Sequence, residues 1–168
     1  HAGRVSDRAP ADVRSVSTSL RRDPDDPRGL GERIEAVVTE RLEEAVEFVC
    51  MDLLVQLRRA QGRPAPVAKS ASDRQEFQGL VREWLLHLRG ALLEGLPPED
   101  IRRVSQAEEA RGREEIPRLL AGQVALARAL PDYWQRFEAL RVAFAQAHLT
   151  TRPRRSGLWP FRRRAASP

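Results

Sequence analysis

One cysteine, one methionine, one tyrosine and a single lysine, Lys69, are all that the 168-residue chain contains of these four residue types. With Cys50 alone, there is no internal disulfide and no cysteine-based metal cluster, which fits a reducing compartment. No run reaches the ~18 apolar residues that a bilayer crossing needs, and residues 1–28 lack the apolar core of a signal peptide. A cytoplasmic protein is the expectation, peripheral to a membrane at most through one end. Aromatic residues make up only 5% of the chain, so each large ring is a candidate anchor. The chain opens on His1 rather than Met, which reads as a fragment or a processed form.

Motifs that carry chemistry are missing as well. GLGERI follows no strand and lacks the third glycine of a phosphate loop, and there is no GxxxxGK, CxxC, HExxH or GxSxG. Glu83 and His87 stand four apart and unrepeated, whereas di-iron helices need Glu-x-x-His at i, i+3. Neither an enzyme nor a resident metal or cofactor is expected. His87 and His148 border apolar stripes and are the candidates for haem ligation, although such positions more often hold packed or solvated histidines. Cys50, in the most apolar part of its helix, reads as buried, neutral and inert. Glu108, Glu109, Glu114 and Glu115 read as a solvated acidic surface beside Arg111, Arg113 and Arg118. RRVS, Arg102–Ser105, matches a loose kinase pattern of the kind that arises by chance.

What the sequence does contain is helical periodicity. Ile34, Val38, Leu42, Val46, Val49, Leu53 and Leu57 recur every three or four residues and predict a helix of about thirty residues beginning near Gly29. Its second half, FVCMDLLVQL, is apolar nearly all round, so neighbours are expected to cover it on more than one side. After the proline-bearing linker 62–72, a second helix is predicted from Ser72, with Gln75 completing a capping box, to Glu94. Its stripe includes Phe77, Leu80, Val81, Trp84, Leu85 and Leu88. A thin third helix follows, Pro98 to Arg111. A fourth starts near Arg113 or Glu114, which places Pro117 in its first turn, and runs to Leu130. The fifth ends near Leu149, with Tyr133, Phe137, Leu140, Phe144 and Ala147 inward. No segment alternates as a strand does. The fold class expected is all-α, an antiparallel bundle of four or five helices around a long central first helix.

The charge is unevenly spread. The net +5 resides in the last nineteen residues, which hold six arginines and no acid. Residues 1–28, rich in Arg, Asp, Ser and Pro, read as disordered, residues 29–149 as the helical domain, and residues 150–168 as a basic aromatic tail. Pro153, Gly157 and Pro160 predict that the tail is extended rather than helical. Its binding residues are expected to be Arg152, Arg154, Arg155, Leu158, Trp159, Phe161, Arg162, Arg163 and Arg164. Such a segment suits an acidic protein surface, an anionic membrane, or single-stranded nucleic acid stacked on Trp159. Nucleic acid ranks last, because the remainder of the chain lacks a supporting basic face. The function expected is a non-enzymatic interaction module, a regulatory adaptor or scaffold that binds another protein and can self-associate. The alternatives are a ligand- or haem-sensing domain of a regulatory protein and a nucleic-acid-associated protein.

Overall fold

The computed structural model describes residues 29–67 and 69–166, with side chains through Thr151. Residues 1–28, expected to be disordered, lie outside the described residues. The fold is all-helical, and no strand occurs among the described residues. Among the described residues, five helices follow one another: α1 Leu30–Ala60, α2 Ala71–Leu93, α3 Pro98–Glu109, α4 Glu115–Ala129 and α5 Tyr133–Ala166. None is long and apolar enough to cross a membrane, among the described residues.

The chain divides into two units, residues 1–41 and 42–168. The described part of the first is the opening three turns of α1. There Glu32 accepts a hydrogen bond from the Gly29 N–H at 3.3 Å, which satisfies a backbone donor at the helix start. Ile34, expected inside, is exposed, as is Leu30.

In the second unit, α1 buries Leu42, Val46, Val49, Cys50, Leu53, Leu54 and Leu57. Phe48 and Met51 are left out, 66% and 37% exposed. This half is therefore covered broadly but not all round: the strip that carries Phe48 and Met51 stays open to solvent. α1 closes in a Schellman motif, in which the Arg63 N–H donates to Arg58 O at 2.8 Å and the Gly62 N–H to Arg59 O at 3.1 Å. Gly62 takes φ +68°, which a side chain would make costly.

The start of α2 departs from the predicted capping box. Ser70, not Ser72, caps it, its side chain accepting from the Asp73 N–H at 3.3 Å. Asp73 is drawn away to accept from the Val67 N–H at 2.6 Å and from Arg58 at 2.5 Å. Arg58, 4% exposed, also donates to Glu76 at 2.7 Å and to Pro64 O at 3.2 Å. One guanidinium thus joins the end of α1, the linker and the first turns of α2. The Val67 N–H and then Arg58 hold the Asp73 carboxyl below its ordinary 3.8. Its folded value being depressed, its stabilising effect is present above that pH and is lost as pH falls through the folded value.

α4 packs on α3 and α2, and α5 on α2 and α4. Pro117 falls in the first turn of α4, as expected, where its missing N–H has no intrahelical partner to lose. The core centres on Trp84, which meets Phe137 edge-on at 5.4 Å and Phe144 at 5.1 Å. Tyr133, 1% exposed, donates its hydroxyl hydrogen to Gln123 Oε1 at 2.7 Å.

Cys50 is fully buried, and burial, aided by the charge of Glu83, pushes its thiol up to about 12 from 9.0. The folded value lies above the unfolded one, so its stabilising effect is complete below pH 9 and shrinks between 9 and about 12. Folded protein at pH 8 is expected to resist iodoacetamide and to react at Cys50 only in denaturant. Mass spectrometry of the alkylated chain checks this; rapid labelling without denaturant would refute the buried thiol.

Candidate functional site

The backbone of residues 152–166 continues α5 past Pro153, Gly157 and Pro160. This corrects the expected extended form. An interior proline costs a hydrogen bond and about 3 kcal/mol, which is a penalty and not a prohibition. The side chains named from the sequence, Arg152, Arg154, Arg155, Leu158, Trp159, Phe161, Arg162, Arg163 and Arg164, lie outside the described ones.

Among the described side chains, two concavities form where three helices meet. The smaller is a groove of about 160 Å³ between α1, α2 and α4. Helical spacing builds it: Phe77 and Val81 stand one turn apart on α2, and Ile116 and Leu120 do so on α4, so each pair lines one wall. Val46 of α1 adds to the apolar lining, and Glu43, Glu47 and Gln78 complete it. Glu43 and Glu47 are exposed. At i, i+4 their like charges repel by a few tenths of a kcal/mol, and neither forms an ion pair among the described residues. Arg82, the residue after Val81, is committed to Glu115 at 2.5 Å. The place of Glu43 and Glu47 beside an apolar groove depends on α2 and α4.

The larger concavity, about 570 Å³, lies between α1, α2 and α5 and includes Leu57, Glu76, Leu80, Glu83, His148 and Thr151 in its lining. Gly79 and Ala147 contribute little bulk there, which leaves the space open. Its carboxylates have partners. His148 Nε2 lies 2.9 Å from Glu83 Oε1 and its Nδ1 3.0 Å from Phe144 O, while Glu76 is held by Arg58. His87, the other haem candidate, stacks on Trp84 at 6.1 Å and meets Phe144 at 5.4 Å. Groups of three His, Cys, Asp or Glu side chains suited to a metal ion do not occur among the described residues.

The acidic run at the α3–α4 junction separates into different roles. Glu115 pairs with Arg82 on the surface. Glu108, expected to be solvated, is buried and takes a two-pronged bond from Arg89, 2.7 Å from Nε and 3.0 Å from the terminal nitrogen. It faces Gly122 of α4, where a β-carbon would lie 2.5 Å from its carboxylate oxygen. The missing side chain at Gly122 is what lets α3 and α4 approach at this point.

These features define a class: the described residues form an all-α fold with exposed apolar side chains on the long helix α1 and an acid-rimmed groove beside it. Comparison with family models, curated proteins and solved structures finds no match.

Proposed function

We propose that this chain is a non-enzymatic interaction module, a regulatory adaptor or scaffold whose helices form an antiparallel bundle. It binds another protein through the outer face of α1, and its Arg- and Trp-rich terminus serves as an accessory anchor for an acidic protein or anionic membrane surface. Phe48 carries the reading. A phenylalanine 66% exposed on a helix whose opposite face is core, with Met51 one turn on at 37%, supports a contact surface, because aromatic and methionine side chains are enriched where proteins meet.

The test compares the 168-residue chain with its Phe48→Ala/Met51→Ala variant in a crosslinked pull-down. Exposed side chains contribute little to folding, so the variant's stability is expected to change by under about 0.5 kcal/mol while the captured protein is lost. Capture of the same protein by both chains would overturn the reading. The cleft beside Glu83 and His148 favours a second reading, ligand sensing, which visible absorbance with and without added haem tests for that ligand.

A further inference from the structure

The exposed face of α1 is already proposed as a partner surface, and the carboxylates of the larger cleft have partners, Glu83 in His148 and Glu76 in Arg58. The groove of Glu43 and Glu47 differs, since it combines an apolar lining with carboxylates that form no ion pair among the described residues. We propose that this groove receives the arginine-rich terminus of a second copy of the chain. Trp159 or Phe161 would enter the apolar lining, and the following arginines would meet Glu43 and Glu47. The inference rests on the reading that the terminus is an anchor, and it names that anchor's receptor.

Size, polarity and charge agree. A volume near 160 Å³ suits one aromatic ring, as an apolar cavity of about 150 Å³ holds benzene. Val46, Phe77, Val81, Ile116 and Leu120 give that ring an apolar surround. The terminus carries six of the chain's 29 basic residues and none of its 24 acids, which leaves the rest of the chain with 23 against 24. Trp159 and Phe161 are its large aromatic rings, and Arg162, Arg163 and Arg164 follow directly. Guanidinium groups beside Glu43 and Glu47 would turn a repelling pair into a charge-assisted contact.

Geometry selects the second copy over the chain's own groove. Thr151 lines the larger cleft with Glu76, Gly79, Leu80 and Glu83 of α2, whereas the groove uses Phe77, Gln78 and Val81, on the other side of that helix. As α5 continues to Ala166, Trp159 and Phe161 lie about 12–15 Å farther along its axis than Thr151. A helix on that course does not turn back around α2. Two copies that exchange termini form a closed, two-fold dimer in which each supplies one terminus and one groove.

Sedimentation equilibrium of the 168-residue chain at low and high salt tests the inference. Expected are dimers at low salt, weakened as salt screens the exposed carboxylates. Glu43→Gln/Glu47→Gln and Trp159→Ala/Phe161→Ala should each weaken dimerisation about tenfold or more, with circular dichroism confirming that both variants remain folded. Glu43→Arg/Glu47→Arg should likewise abolish dimerisation, and adding Arg162→Glu/Arg163→Glu to the same chain should restore it. A monomer at low salt, or a dimer indifferent to the groove variants, overturns the inference. If that chain still captures its protein partner through Phe48 and Met51, the receptor assignment falls alone; if capture is also indifferent to Phe48→Ala/Met51→Ala, both readings fall.

Discussion

Trp84→Ala is expected to destabilise the protein by about 3–5 kcal/mol, the range for deleting a large buried aromatic side chain. Trp84 is fully buried and shares ring contacts with Phe137 and Phe144 of α5 and with His87 of its own helix. Removing the indole would open a cavity at the α2–α5 contact, which the rings cannot fill without leaving their present packing. Since domains of ordinary size are stable by only about 5–15 kcal/mol, a large part of the folded population's margin would go. Trp84→Phe should cost far less, about 1–2 kcal/mol, because it keeps a ring and removes a buried indole N–H that has no hydrogen-bond partner among the described residues. Urea unfolding followed by far-ultraviolet circular dichroism measures both. A Trp84→Ala cost below about 1 kcal/mol would mean that the core does not centre on this residue.

The second large effect is a coupling between Glu108 and Gly122. Alanine at 122 would place its β-carbon 2.5 Å from the Glu108 carboxylate and 2.9 Å from its Cγ, so the side chain must leave the Arg89 fork. Alanine favours a helix by about 1 kcal/mol over glycine. Displacing a buried carboxylate from its partner costs more, about 3–5 kcal/mol for a fully buried pair, reduced here because the Arg89 side chain is 35% exposed. Gly122→Ala is therefore expected to destabilise by about 1–2 kcal/mol net, and Glu108→Ala by about 2–3 kcal/mol. In the Glu108→Ala background the clash is gone, and Gly122→Ala should stabilise by up to about 1 kcal/mol. The change of sign is the diagnostic outcome. If the two substitutions add within about 0.5 kcal/mol in a double-mutant cycle, they do not share this contact.

These residues also show what could and could not be read along the chain. The runs of Glu at 108–109 and 114–115 are obvious in one dimension, but their partners are not. Arg89 and Arg82 lie nineteen and thirty-three residues away from Glu108 and Glu115, and charge counting cannot choose them over the adjacent Arg111 and Arg113. Phe48 and Leu54 look equally apolar in sequence, yet one is exposed and the other buried. The periodicity of α1 assigns Leu53 and Leu57 to the covered face, but not the limit of that face. Ser70 and Ser72 both offer a hydroxyl near the start of α2. The competing claims of Arg58 and the Val67 N–H on Asp73 accompany the cap at Ser70, and no local pattern contains Arg58. The acid-rimmed groove combines residues from three helices, so it too was hidden, whereas the basic terminus was legible because it is contiguous.

The amino-acid order alone determined the helical class, the five segments and most of their limits. Apolar spacing at three and four residues, proline and glycine punctuation and helix caps all act within a few residues of one another. It likewise determined that positive charge collects at one end. Tertiary structure decided which apolar faces are covered, which charges are buried, why position 122 needs a hydrogen for a side chain, and where Glu43 and Glu47 find an apolar groove beside them. Each of these depends on atoms brought within a few ångströms by helices distant in the chain, and burial and pairing energies exist only once those neighbours are in place.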